Sequence, residues 1–192
     1  DGKVVLNGGA VSNNQAENGG GVYTGAGTWF KLNGGEIINN TAAGNGGGVY
    51  CRNMYNQNDG RCQFYGGSIS GNSAKNGGGA YAANNTQVGY RNCKISGNTA
   101  TQAGAGFYLD SDMLYLGSVY PDGGGYICPY IYDNTVAGAQ NNLYLSRKDA
   151  QIQFTQRIET KSKMKVGVYF TGITEKGPSV LLDYLLVERD FI

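Results

Sequence analysis

The chain has 192 residues, 33 of them Gly and 20 Asn, so more than a quarter of it favours turns over helix interiors, and a mostly helical domain is excluded. Hydrophobic residues at 40% are too many for a disordered low-complexity segment, while 3 Pro and glycines in widely spaced doublets and triplets exclude collagen. With 15 basic and 14 acidic residues the net charge of +1 gives no field for nucleic acid or an anionic membrane, and a His count of 0 removes the commonest general base and zinc ligand.

The chain opens Asp1-Gly2-Lys3-Val4-Val5-Leu6, neither a signal peptide nor an initiating methionine, and no apolar run approaches the roughly 20 residues of a membrane-spanning helix. The expectation is a piece of a longer protein, with no membrane insertion by this segment. A repeat then begins: a hydrophobic residue, two spacers and Asn, with a small residue two places on. Its members are Val11/Asn14/Ala16, Ile37/Asn40/Ala42, Ile69/Asn72/Ala74, Ile95/Asn98/Ala100 and Ile131/Asn134/Val136, spaced by 26, 32, 26 and 36 residues. A second motif keeps step with it: Gly19-Gly20-Gly21-Val22-Tyr23, Gly46 to Tyr50, Gly77 to Tyr81, Gly104 to Tyr108 and the degenerate Gln140 to Tyr144.

A third alternating stretch, such as Phe30-Lys31-Leu32 or Cys62-Gln63-Phe64, precedes Gly-Gly or its equivalent. Three short strands and their turns use up a 26-residue period, which predicts one triangular coil per repeat and an all-β parallel β-helix of about five coils over residues 6–145. Period-2 alternation places Val22/Thr24, Val49/Cys51, Ala80/Ala82, Phe107/Leu109 and Leu143/Leu145 inside, and Tyr23, Tyr50, Tyr81, Tyr108 and Tyr144 outside, where their rings can stack coil on coil. The recurrent Asn is expected in a turn, tolerating left-handed backbone angles and bonding neighbouring amides.

The 32-residue step marks Arg52 to Arg61 as a protruding loop, and the 36-residue step marks Asp110 to Gly125 as another, although Leu114 and Leu116 could extend the core. All Asn lie at or before position 142, which suggests a boundary near 145 between the repeats (1–145) and a β-rich cap (146–192). In that cap Ile152-Gln153-Phe154 and Lys161 to Tyr169 alternate as strands, and Val180 to Val187 reads as a final strand or a short helix. Lysine-lined strands would protect an open solenoid end from edge-to-edge association.

Gly-Gly-Ala-Val at 8–11, Val/Ile-x-x-Asn and Gly-Gly-Gly-Val-Tyr together resemble the β-helical repeats of bacterial adhesin-like surface proteins. Those include the chlamydial polymorphic outer-membrane proteins and large adhesin-like proteins of gut anaerobes. Val or Ile stands where the chlamydial repeats prefer Phe, which favours the gut type. The resemblance implies a right-handed single-stranded parallel β-helix with a C-terminal β cap, part of a secreted or surface-anchored extracellular protein used in attachment. It supplies no catalytic residue and no cofactor.

The function expected is therefore a non-enzymatic adhesion or display module whose partner is a host or microbial surface glycan or protein. A structural stalk is one alternative. The other is a polysaccharide lyase or glycoside hydrolase using Asp110, Asp112, Asp122 and Asp133, which could equally hold Ca²⁺ or remain solvated. Four cysteines without C-x-x-C spacing argue against zinc. Cys51 and Cys62 sit at strand ends in inward registers and are expected to form a disulfide, whereas Cys93 and Cys128 could pair or stay as buried thiols. Ligand contact is expected on the Tyr50, Tyr81 and Tyr108 column, where the rings could also serve only as a stabilising ladder, and on the insertions through Arg52, Tyr55, Arg61, Tyr115 and Tyr120.

Overall fold

The computed structural model describes residues 2–25, 27–52, 61–83, 86–111, 113–116, 126–127, 130–147, 150–154, 157–158, 165–166 and 168–170. These form an all-β parallel β-helix of five complete coils with strands of a further one. Among the described residues no helix is long and apolar enough to cross a membrane.

Each coil has four strands, not three. Sheet A stacks Lys3–Leu6, Trp29–Leu32, Arg61–Phe64, Gln87–Tyr90, Met113–Leu116 and Gln151–Phe154. Sheet B stacks Ala10–Ser12, Glu36–Ile38, Ser68–Ser70, Lys94–Ser96, Tyr130–Tyr132 and Lys165–Val166. Sheet C stacks Gln15–Ala16, Thr41–Ala42, Ser73–Asn76, Thr99–Ala103 and Thr135–Val136, and sheet D stacks Val22–Thr24, Val49–Cys51, Ala80–Ala82, Phe107–Leu109, Leu143–Leu145 and Val168–Phe170. The strand missed in the sequence is sheet C, as short as two residues in places and thus too short to show alternation. One residue in the left-handed region turns the chain between sheets B and C: Asn13 (φ 57°), Asn39 (φ 56°), Gly71 (φ 65°), Gly97 (φ 66°) and Asp133 (φ 52°). Asn, Asp and Gly are the residues that adopt this conformation at least cost.

The recurrent Asn is the residue after that turn, and it points inward instead of serving as the turn. Asn40, Asn72, Asn98 and Asn134 are fully buried. Each side-chain amide donates to the Oδ1 of the next coil's Asn: Asn14 to Asn40 at 2.9 Å, Asn40 to Asn72 at 3.0 Å, Asn72 to Asn98 at 3.0 Å and Asn98 to Asn134 at 2.9 Å. Each Oδ1 also accepts the backbone N–H of the Asn below, at 2.8–3.0 Å. The last rung comes from a detour. After Val136 the chain makes a hairpin, Ala139–Gln140 pairs antiparallel with Thr135–Val136, and Asn142 accepts from Asn134 at 2.9 Å.

Sheet D faces inward and outward as the alternation requires, with Val49, Cys51, Ala80, Ala82, Phe107, Leu109, Leu143 and Leu145 all buried. The interior also takes Phe30, Phe64, Tyr90 and Leu114 from sheet A and Ile37, Ile69, Ile95 and Ile131 from sheet B. Leu114 moves the second insertion. Met113–Leu116 is a sheet A strand in register with Gln87–Tyr90, so Asp110 to Gly125 is not one loop, and the extra length falls at 117–129, between sheets A and B. The first insertion lies where expected, between Cys51 of sheet D and Arg61 of sheet A.

The sheets cross position 145. Gln151–Phe154, Lys165–Val166 and Val168–Phe170 pair in parallel with the preceding strands of sheets A, B and D. Glycine and asparagine thin out there because the asparagine ladder stops at Asn142, not because stacking stops. Lys161 to Met164 and Val180 to Val187 lie outside the described residues.

Cys51 and Cys62 are disulfide-bonded, their Cα atoms 6.4 Å apart, joining the second coil's sheet D strand to the third coil's sheet A strand across the first insertion. Closing a loop of this length is worth about 3 kcal/mol in the chain-entropy model. Reduction, or Cys51→Ser with Cys62→Ser, is accordingly expected to lower the thermal midpoint by several degrees, and non-reduced peptide mapping should recover the linked pair. Cys93 is a free buried thiol whose ionisation is opposed by burial, and Cys128 lies outside the described residues.

Candidate functional site

The repeat spends most of its recurring side chains on its own copies. Tyr also stacks on its own copies, but its column lies on the outer face of sheet D. The register Tyr23↔Tyr50↔Tyr81↔Tyr108↔Tyr144 stacks the rings with centroids 5.2, 5.3, 4.8 and 4.8 Å apart and interplanar angles of 5°, 9°, 15° and 28°. Near-parallel rings at these distances stack with a lateral offset, each face turned toward its neighbour and partly covered by it. Within the column each ring thus offers solvent mainly its edge and hydroxyl. A sugar cannot stack on these faces as on an open aromatic platform.

A second file runs beside the first. Two residues after each Tyr, and so on the same face, stand Gly25, Arg52, Ala83, Asp110 and Ser146. The sheet D ladder extends to them through Arg52 N–H to Thr24 O (3.2 Å), Ala83 N–H to Cys51 O (2.8 Å), Asp110 N–H to Ala82 O (2.8 Å) and Ser146 N–H to Leu109 O (3.1 Å). The Asp110 carboxylate ties the files together, accepting from the Ser146 hydroxyl at 2.8 Å and from the Tyr81 hydroxyl at 3.4 Å.

Burial raises the pKa of Tyr81, and the neighbouring Asp110 charge raises it further. Burial likewise raises Tyr50, against an opposing pull from Arg52, and Tyr108, against a hydrogen bond from Ser146. All three phenols bind their protons more tightly folded than unfolded. Stability is thus fully present below the ordinary tyrosine value of 10.0 and falls as pH rises beyond it. Absorbance titration is expected to show these phenols ionising late, together with loss of near-ultraviolet circular dichroism, and Tyr81→Phe should flatten the alkaline fall.

Of the expected contact residues, the structure brings Tyr50, Tyr81, Tyr108 and the exposed Arg52 onto one strip. Tyr115 lies elsewhere, half-buried on sheet A in register with Gly89. Arg61 begins a sheet A strand, but its side chain lies outside the described residues, as do Tyr55 and Tyr120. The two insertions leave the stack at different corners, the first between sheets D and A and the second between sheets A and B, and residues 53–60, 117–125 and 128–129 lie outside the described residues. Asp110 and Ser146 are the members of the strip that sequence reasoning did not place there. The signal was present: each follows a column Tyr by two residues.

Of the acidic residues considered for catalysis or calcium, the two described, Asp110 and Asp133, do not come together. Asp110 follows sheet D, whereas Asp133 turns the chain between sheets B and C, and these corners are not neighbours in the coil. Asp112 and Asp122 lie outside the described residues. Among the described residues no three acidic or thiol side chains are placed to hold a metal ion.

A family model described as the Chlamydia polymorphic membrane protein (Chlamydia_PMP) repeat matches residues 34–52. No curated protein and no solved structure matches the chain. The matched stretch runs from the glycine pair ahead of sheet B, through the buried Asn40 and the glycine triplet, to Tyr50, Cys51 and Arg52. The second coil of this β-helix is thus similar to a repeat of the Chlamydia polymorphic membrane protein.

Proposed function

We propose that the chain is a non-enzymatic attachment module of a secreted or surface-exposed bacterial protein, and that it meets a surface glycan or protein through the outer face of sheet D and the loop that leaves it at Arg52. The observation that carries this reading is the contrast between the two sides of the coil. Asn, the aliphatic residues and the glycine triplets are consumed inside the stack, while Tyr, Arg52, Asp110 and Ser146 form one half-exposed polar and aromatic strip along its length. Two further findings support it: the second coil's likeness to a membrane-protein repeat, and a disulfide, which suits an oxidising compartment.

The test is attachment to cells and to glycan-coated particles. The loop 52–60 is shortened to the length of the corresponding connection at 83–86, with Arg52→Ala and Asp110→Ala added. These changes leave every buried repeat position intact, so the far-ultraviolet circular dichroism should not change while attachment falls at least tenfold. Undiminished attachment would place the contact elsewhere or make the chain a stalk.

A further inference from the structure

The strip on sheet D has the periodicity of the stack. Its tyrosines recur at 4.8–5.3 Å. The second file places a cation, Arg52, and an anion, Asp110, two coils apart, with the single methyl of Ala83 between them. A polymer gripped by every coil must repeat at that step. A peptide strand advances only about 3.3 Å per residue, and a strand of duplex nucleic acid about 3.4 Å per nucleotide. An extended chain of β-1,4-linked hexopyranoses, joined through opposite ends of each ring, advances by about one coil per sugar. Alternate sugars in such a chain are flipped, so one edge returns at every second residue, which is the interval between Arg52 and Asp110.

Charge narrows the class. The Asp110 carboxylate stands between the files and repels carboxylates or sulfates on a chain lying there, and the exposed Arg52 repels amines. Because the ring faces are stacked on one another, recognition falls to hydroxyl edges. We propose that the outer face of sheet D binds an uncharged, extended β-1,4-linked glycan along the axis of the stack, one sugar per coil. The Tyr hydroxyls, Ser146 and Asp110 bond to the sugar hydroxyls, Arg52 donates at one end, and Ala83 leaves room for the flipped sugar. This rests on the attachment reading above and names its ligand.

The probe is cellohexaose, with maltohexaose, its α-linked counterpart, and β-1,4-linked oligomannuronate, a charged chain of the same linkage, as comparisons, titrated calorimetrically into the full chain. Cellohexaose is expected to bind at least tenfold more tightly than either. Tyr81→Phe keeps the ring stack and removes one hydroxyl, so it should weaken binding severalfold; Ala83→Trp fills the gap and should abolish it, both with unchanged far-ultraviolet circular dichroism. Equal binding of maltohexaose, no binding of cellohexaose, or indifference to Ala83→Trp would overturn the proposal. The two readings separate in the attachment assay. If attachment is lost in the strip variants yet cellohexaose neither binds nor competes, the ligand class is wrong and the attachment reading stands. If the wild-type chain attaches to nothing, the attachment reading falls.

Discussion

Asn98→Leu is expected to destabilise the chain by about 4 kcal/mol, a large share of the roughly 5–15 kcal/mol that holds a domain folded. Leucine fills a similar volume, so the loss comes from hydrogen bonding. The Asn98 amide donates to Asn134 Oδ1, to Ile69 O at 3.0 Å and to Ser96 O at 3.2 Å, and its Oδ1 accepts both the backbone and the side-chain N–H of Asn72. Removing it leaves the Asn72 backbone N–H buried without its acceptor, and orphans of this kind cost about 1–3 kcal/mol each. The same change at Asn14 should cost only about 1 kcal/mol, because that residue is exposed and its two hydrogen bonds both go to one neighbour, Asn40. Urea unfolding of the two variants should separate their midpoints clearly. Equal effects would mean that the ladder is not a cooperative buried column.

Gly79→Ala should be of similar size, about 3 kcal/mol or more, for a steric reason. A Cβ on Gly79 would stand 2.5 Å from the carbonyl oxygen of Gly106 in the next coil, 2.9 Å from Ile95 Cγ2 and 3.0 Å from Asn98 Nδ2. The obstructing oxygen is backbone, so relief requires the coils to part, which strains the Gly79 N–H to Ala105 O bond (2.9 Å) and the Ala80 N–H to Gly106 O bond (3.0 Å). The first residue of that triplet, Gly77, does different work at φ 64°. Gly25→Ala is the control, since nothing lies within 4 Å of a Cβ there. Thermal unfolding should show Gly79→Ala well below the wild type and Gly25→Ala beside it.

These two residues also mark what the sequence could convey. A motif repeated five times makes the period, the coil stacking and the inward and outward faces of sheet D legible, because each copy of Val-Tyr-Cys or Phe-Tyr-Leu repeats the same alternation. Depth is harder to read. Asn is common in turns, and only the coordinates show that Asn13 or Asn39 makes the turn while Asn14 or Asn40 enters the column beside it. Composition misleads near residue 145, since it records the end of the Asn ladder at Asn142 and not the end of parallel stacking. Counting spacings alone put the second insertion too early; the alternation of Leu114 and Leu116, matching Val88 and Tyr90, was the better guide. Of the candidate site, the Tyr column was legible from period and alternation. Its ring geometry was not, and that geometry decides which part of each ring a ligand can reach.

In the stacked coil every recurring residue lies one strand spacing from its own copy, whatever the sequence gap between them. Pairs of nitroxide labels test this on the sheet B register Ala10↔Glu36↔Ser68↔Lys94↔Tyr130, in a Cys128→Ser background with one label fixed at position 10. Dipolar distances from that label should rise evenly, by about 4.8 Å per coil to roughly 19 Å at position 130. The 26-, 32-, 26- and 36-residue gaps should leave no trace in the steps. Steps that follow the sequence gaps, or a label at position 130 as close to position 10 as one at position 36, would contradict the stacked-coil account.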